Sequence, residues 1–265
     1  MLAKIWLLAL ALVNPHSSLE TGSQPIGRTQ GLIIVIVLLM AFLVGAVLSG
    51  LFAALAASWA GYHGSLAGLS LLASPPWWLI MSTLIGLWFG YTGGTVLCQR
   101  LFHLFEVRKL FRVRWSDLSY LALGVAVQLL IGLAYLPFHL AHYSAPTTRL
   151  FGNASGGVFA VLCIMTAAIV PFFEELFFRV VLLRGLWGLA AVRSAKLSMV
   201  FVIGLDALIF AGAHAELVQL PGLAVVGAVL AYLYLRTGRL APSYLTHASF
   251  NTLAVIVLIA QRTHG

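Results

Sequence analysis

The sequence predicts an all-α protein, a polytopic bundle of about seven transmembrane helices preceded by a short apolar N-terminal segment. Hydrophobic residues make up 62% of the 265-residue chain and charged residues only 8%, whereas about 25% of a soluble domain is charged. Residues 29–99 contain no Asp, Glu, Lys or Arg, and one span needs about 20 apolar residues. Basic residues recur in every second connection between apolar segments, as they do in cytoplasmic loops.

Seven segments have the length and composition of a membrane span. They are about 31–58, 77–98, 117–139, 156–183, 197–217, 221–236 and 240–260. A further apolar run, IWLLALALV at 5–13, is too short to span and fits either a signal-peptide core or a membrane-dipping N-terminus. The chain therefore divides into an N-terminal segment with a polar linker at 1–30, an N-terminal transmembrane region at 31–150, and a C-terminal transmembrane core at 151–265.

The basic connections predict the orientation of the bundle. Most Lys and Arg residues fall in 100–114, 184–196 and 236–239, which are expected in the cytoplasm, whereas the connection 140–155 contains only Arg149. The same rule accounts for the net charge of +8 without a nucleic-acid partner. We expect a multi-pass membrane protein in contact with lipid, in the plasma membrane, or in the inner membrane if it is bacterial. The sequence does not specify an oligomeric state.

Three glycines in the second span indicate close helix packing. Gly86, Gly90 and Gly94 recur every four residues and therefore share one helix face. Small residues on such a face let a neighbouring transmembrane helix approach closely.

Ionisable residues inside the spans are the most informative, because one near the bilayer centre costs at least about 2.5 kcal/mol. The fourth span contains PFFEELFFR, in which Glu175 and Arg179 are four residues apart and are expected to pair. Glu174 is rotated about 100° from Glu175 on a helix and does not share that pairing equally. A buried ion pair that fixes helix packing explains Glu175 and Arg179, but it leaves Glu174 for another task.

Two further spans carry polar stripes. Asp206, Phe210 and His214 are spaced by four in the fifth span, and His247 and Asn251 in the seventh. Taken alone, His214 is typical of a core residue. The pair in the seventh span, His247 and Asn251, is typical of an interhelical hydrogen bond. Asp206 is expected either to pair with an arginine or to lie in a watery cavity. Taken together, a carboxylate near two imidazoles suits the activation of water, directly or through a metal.

The motifs that contain these residues resemble those of a known family. EELFFR at 174–179, FAGAH at 210–214 and HASFN at 247–251 are similar to the EExxxR, FxxxH and HxxxN/D motifs of the CPBP family, the CAAX protease and bacteriocin-processing membrane proteins. The resemblance covers about residues 156–258 and includes the approach YLYLRTGRLAPSYLTHASFN. It implies an intramembrane endopeptidase, related to the type II CAAX prenyl protease, that acts on a membrane-associated peptide or protein.

The resemblance also implies roles for the motif residues. Glu174 would activate the attacking water, and His214 would assist it or bind the tetrahedral intermediate. His247 and Asn251 would help to hold the developing oxyanion. The supporting residues would be Glu175 and Arg179.

The cofactor prediction is that none is needed, with zinc as the alternative. Glu174, His214 and His247 form a His2Glu set, which zinc accepts with one position left for water. If Glu174 were a ligand, however, no clear general base would remain, because Glu175 is expected to be engaged by Arg179. Zinc peptidases of the HExxH type keep a glutamate base beside the metal.

Two other functions compete with an endopeptidase. A non-catalytic membrane scaffold or bacteriocin-immunity factor would keep the fold, but it has no need of Glu174. A proton-coupled transporter would use Glu174 and Asp206 as a relay, although the sequence lacks the paired halves with broken helices of many transporters.

Helix lengths raise one difficulty for a shared site. At about 1.5 Å per residue, Glu174 lies about 15 Å from Arg184, whereas His214 lies about 27 Å from Lys196. If both basic residues marked the same membrane surface, the two side chains would lie at different depths.

Overall fold

The computed structural model describes residues 26–70, 75–138, 151, 154–190 and 195–264. The apolar run at 5–13 lies outside the described residues, as does most of the 140–155 connection. The described residues contain helices and no strand, which confirms the all-α prediction. The helices are α1 (Arg28–Trp59), α2 (Leu66–Ser70), α3 (Trp77–Phe102), α4 (Val107–Leu110), α5 (Ser119–Tyr135), α6 (Gly156–Leu189), α7 (Ala195–Ala213), α8 (Leu220–Thr237) and α9 (Leu240–His264).

Six helical segments in the described part of the chain are long and apolar enough to cross a membrane, and the protein is an integral membrane protein. They are α1, α3, α5 with its flanking 3-10 turns, α6, α8 and α9. The fifth predicted span, 197–217, was drawn too long: the apolar helix there is the shorter Leu197–Ala213. The chain turns immediately afterwards, where Ala215 has φ 53°. α1 begins at Arg28, three residues before the first predicted span.

The contact between α1 and α3 depends on the glycine face predicted for the second span. Gly86, Gly90 and Gly94 are all buried. A Cβ atom at Gly86 would come within 2.3 Å of the Ser49 backbone nitrogen, and one at Gly90 within 2.4 Å of the Ala41 carbonyl oxygen. The prediction that these glycines serve helix packing is confirmed, because any side chain there would push the two helices apart.

α6 is the central helix of the bundle, and it is not a regular α-helix. Two stretches, Met165–Ile169 and Glu175–Leu182, have π-helical hydrogen bonding, and Pro171 lies between them. Residues of the second stretch pack against α3 and α7, with ring centroids of Tyr91 and Phe177 4.4 Å apart and those of Phe178 and Phe210 5.3 Å apart. π-Helical turns occur frequently at functional sites, and here the second stretch begins at Glu175, directly after Glu174.

Arg184 does not belong to a cytoplasmic connection, contrary to the prediction for 184–196. It is 3% exposed and lies inside α6, which continues to Leu189. Its guanidinium donates to the carbonyl oxygen of Leu104, and its Nε atom lies 3.4 Å from the Tyr234 hydroxyl. A buried arginine is tolerated here because polar groups of two other segments receive its N–H groups.

The buried position of Arg184 also removes the difficulty over depth. Measured from the end of α6 at Leu189, Glu174 lies about 22 Å along the helix rather than about 15 Å. This value is close to the distance of about 27 Å between His214 and Lys196. The two side chains can therefore meet at one level.

Candidate active site

Three helices bring together the carboxylate and the two imidazoles singled out in the sequence. Glu174 on α6 has its Oε1 atom 3.9 Å from Nε2 of His214, which follows α7, and its Oε2 atom 3.6 Å from Nε2 of His247 on α9. The side chains of Glu174 and His247 are 12% and 3% exposed, whereas that of His214 is 29% exposed. Each imidazole thus faces a different oxygen of one carboxylate, at a largely buried point with access from the His214 side.

A second carboxylate fixes the orientation of His247. Its Nδ1 atom lies 3.0 Å from Oε1 of Glu175, which is fully buried. An ionised carboxylate only accepts hydrogen bonds, so Nδ1 carries a proton and donates to it. This bond sets the tautomer and directs Nε2 towards Glu174, as the buried aspartate does for the histidine of a serine-protease triad.

The backbone fixes the orientation of His214. Its Nδ1 atom lies 2.8 Å from the carbonyl oxygen of Phe210, which can only accept, so Nδ1–H donates to it. This carbonyl belongs to the last turn of α7, where the His214 backbone N–H donates instead to Ala211 at 3.2 Å. Carbonyls at a helix end lack their usual partners, and the imidazole supplies one.

With the rings of His214 and His247 in these orientations, their Nε2 atoms and the Glu174 oxygens face one another across the site as hydrogen-bond acceptors. In the neutral state both Nε2 atoms carry a lone pair, and the Glu174 carboxylate carries no proton. The separations of 3.6 and 3.9 Å are too long for direct hydrogen bonds. They suit a donor that sits between the groups, such as a water whose two O–H bonds point to two of the three acceptors.

Within the ranges that the structure describes, no group of three His, Cys, Asp or Glu side chains could hold a metal ion. The zinc alternative built from Glu174, His214 and His247 therefore gains no support from this arrangement. A mechanism without metal stays a prediction.

Arg179 forms the expected ion pair with Glu175, and it has a second acidic partner. Its Nε atom lies 3.4 Å from Oε2 of Glu175, and its Nη1 atom donates to Oδ2 of Asp206. Asp206 thus takes the first of its two expected environments, an arginine partner. All three side chains are fully buried, and the ring of Phe210 lies 4.6 Å from the guanidinium carbon. Because Glu175 is engaged on both oxygens, Glu174 is the carboxylate left for chemistry.

Asn251 links α9 to the backbone of α6. Its Nδ2 atom donates to the carbonyl oxygen of Thr166 at 3.0 Å, in the first π-helical stretch. A carboxamide has two N–H groups, and this contact uses one of them. The predicted role in holding the oxyanion would fall to the other. Sequence reasoning missed the backbone contact, because nothing in the residue pattern shows which carbonyls a π-helical turn leaves available.

Aromatic side chains pack close to the site. Phe173 stacks on Trp88 of α3 with ring centroids 5.1 Å apart, and Phe172 packs against Tyr244 of α9 at 6.0 Å. The two phenylalanines directly precede Glu174 in the sequence. Both rings are partly buried and pack against the main hydrophobic core.

Comparison with known proteins finds one matching family model. Residues 156–253 match the family model described as type II CAAX prenyl endopeptidase Rce1-like. The matched segment begins with α6 and contains all three motifs. No curated protein and no solved structure matches the chain.

Proposed function

Through residues 156–253 the chain belongs to the type II CAAX prenyl endopeptidase Rce1-like family, and we propose that it hydrolyses a peptide bond in a membrane-associated peptide or protein, using water activated by Glu174. The observation that carries this proposal is the position of the Glu174 carboxylate, whose oxygens lie 3.6 and 3.9 Å from two oriented imidazoles. A general base requires such a carboxylate, in a largely buried site beside groups that can orient a water.

The first step would be attack on the scissile carbonyl. A water donates one O–H to Glu174 and the other to Nε2 of His214, which orients the oxygen lone pair towards the carbonyl carbon. Glu174 takes the proton while the water oxygen forms the new C–O bond, and the carbonyl oxygen becomes an oxyanion. The product of this step is a tetrahedral intermediate and a protonated Glu174.

His247 is the best placed donor for the oxyanion. In this scheme His247 carries a proton on both Nδ1 and Nε2 throughout the cycle, and Glu175, 3.0 Å from Nδ1, stabilises that cation. Its Nε2–H then donates to the oxyanion. Collapse of the intermediate breaks the C–N bond, and the proton held by Glu174 passes to the leaving nitrogen. Glu174 returns to the carboxylate form.

The arrangement gives no support to a proton-coupled transporter. That function was expected to use Glu174 and Asp206 as a relay, but Asp206 is fully buried and pairs with Arg179. A fixed ion pair is a poor relay, because the arginine would have to give up its partner each time the carboxylate took a proton.

The proposed function is tested by comparing protein termini in membranes from three strains. One expresses the wild-type chain, one the E174Q variant at the same level, and one lacks the gene. We expect a set of new peptide termini that is present only with the wild type. The same termini in the E174Q strain would contradict the proposal. Purified protein can then be assayed on a peptide spanning a site so identified, with and without a farnesylated C-terminal cysteine, to define the substrate class.

A further inference from the structure

We propose that Asp206 is a positioning residue, which acts through Arg179 and Glu175 to hold the imidazole of His247 towards Glu174. Asp206 belongs to none of the three motifs, and it lies eight residues before His214 on the same helix face. The effect on hydrolysis rests on the proposed function, whereas the positioning of the ring does not.

A continuous series of contacts joins Asp206 to the imidazole. Arg179 donates from Nη1 to Asp206, and its Nε lies 3.4 Å from Oε2 of Glu175. The other oxygen of Glu175, Oε1, lies 3.0 Å from Nδ1 of His247. Asp206, Arg179 and Glu175 have no exposed surface, so water does not screen the charges, and a change at one end is felt at the other.

The need for Asp206 follows from the number of acceptors available to Arg179. A buried guanidinium favours two parallel N–H bonds to one carboxylate. With Asp206 on Nη1, Arg179 needs only one oxygen of Glu175, and the other remains for His247. Without Asp206, Glu175 is the only carboxylate left among the described contacts of Arg179. Both of its oxygens would then turn to the guanidinium, and His247 would lose its orienting partner.

α7 contributes a second contact that keeps this geometry. Phe210, four residues after Asp206, has its ring centroid 4.6 Å from the Arg179 guanidinium carbon and 5.6 Å from the ring of His247. Two side chains of α7 therefore contact the guanidinium, Asp206 at its edge and Phe210 at its face, and His214 follows one turn further along the chain. Arg179 can reorient only if one of these contacts is lost.

The first arm of the test measures thermal stability and does not require activity. The variants are D206N, H247L and the double variant D206N/H247L, purified in detergent. In the double variant Glu175 and Arg179 can pair fully with each other, so its loss in Tm should fall short of the summed single losses by about 2 °C or more. Purely additive losses would overturn the coupling between Asp206 and His247.

Ser198→Ala provides the matched control. Ser198 is buried on α7 and donates to the Ala190 carbonyl at 2.8 Å, outside the series of contacts. The S198A variant should lower Tm, and this loss should add to that of H247L. Coupling of S198A with H247L as large as that of D206N would show that α7 simply loosens as a whole, and it would refute the specific path through Arg179.

The second arm measures hydrolysis of a peptide cleaved by the wild type. D206N should lower kcat about 10- to 100-fold, the size of effect expected when a catalytic group is misplaced by about 1 Å, with KM unchanged. S198A should retain the wild-type kcat. A D206N variant with wild-type kcat would overturn the positioning role, whereas a wild type that cleaves nothing would overturn the proposed function and leave the Tm coupling to decide whether Asp206 orients His247.

Discussion

Adjacent glutamates with different partners should respond very differently to the same substitution. Glu175→Gln keeps the shape of a side chain whose two oxygens face Arg179 and His247, but it removes the charge. Glu174→Gln removes the charge of a side chain whose nearest basic atoms are 3.6 and 3.9 Å away. We therefore expect E175Q to lower stability and E174Q to leave it nearly unchanged.

The expected magnitude follows from burial. Breaking a buried ion pair costs about 3–5 kcal/mol when the remaining charge is left without compensation. After E175Q the Arg179 guanidinium still has Asp206, so the lower end, about 3 kcal/mol, applies. For a chain of this size, each kcal/mol lowers Tm by about 2–4 °C. E175Q should therefore lower Tm by about 6–12 °C, and E174Q by less than about 2 °C.

The assay is thermal unfolding of the purified proteins in one detergent, followed by intrinsic tryptophan fluorescence. The E174Q variant is the matched control, because it makes the same chemical change one residue away. Equal Tm values for E175Q and the wild type would refute the view that Glu175 holds the buried arginine. A large loss for E174Q alone would show that the two roles have been exchanged.

Three further predictions concern topology, metal and packing. In a variant without the two native cysteines, Arg108→Cys should resist an impermeant thiol reagent in intact cells and His63→Cys should react with it; the reverse labelling would invert the orientation. Purified active protein should contain no stoichiometric zinc and should keep its activity after exhaustive chelation, and zinc that is lost and restored together with activity would contradict a metal-free mechanism. Gly90→Leu should lower Tm, since a Cβ there already meets Ala41 at 2.4 Å, whereas Gly93→Leu on the open face of α3 should not; equal effects would contradict the close contact between α1 and α3.

Much of the fold could be predicted because the bilayer restricts what an apolar segment can do. Long apolar runs must form helices there, since a helix satisfies its own backbone hydrogen bonds. The glycine face of α3 was predicted for a similar reason, as small residues at a spacing of four allow one kind of contact. The boundaries were less certain, and the end of α7 was misplaced because the turn at Ala215 has no glycine or proline to mark it.

Arg184 lies within α6, although its position in the sequence suggests a connection. The positive-inside rule assigns arginines to cytoplasmic connections by their position in sequence. It does not consider that a carbonyl at Leu104, eighty residues away, can receive the guanidinium inside the bundle. The orientation of the bundle, the type of membrane and the three-part division of the chain at residues 30 and 150 stay predictions.

The candidate site was predictable as a set of residues, and less so as a geometry. Helical spacing identified the pair of Glu175 and Arg179, because both lie within one turn of the same helix. The sequence did not identify the partner of Asp206, because Asp206 and Arg179 lie on different helices and are 27 residues apart in sequence. The contact of Asn251 with Thr166 depends on a π-helical turn, whose hydrogen bonding leaves no mark in the hydrophobic pattern.

The catalytic roles of the motif residues stay predictions until activity is measured. His214 and His247 are oriented towards Glu174 by different partners, a backbone carbonyl and a carboxylate. Substitution of either imidazole would change both the geometry and the stability of the site. Glu174 is better suited to a decisive test, because its replacement by glutamine disturbs no described hydrogen bond.

The most direct test of the account is the turnover of purified E174Q on a peptide that the wild type cleaves. A general base contributes about 10²- to 10⁴-fold to the rate, so kcat should fall by at least that factor while Tm stays within about 2 °C of the wild-type value. An E174Q protein that folds normally and keeps kcat within about tenfold of the wild type would contradict the central claim that Glu174 activates the water.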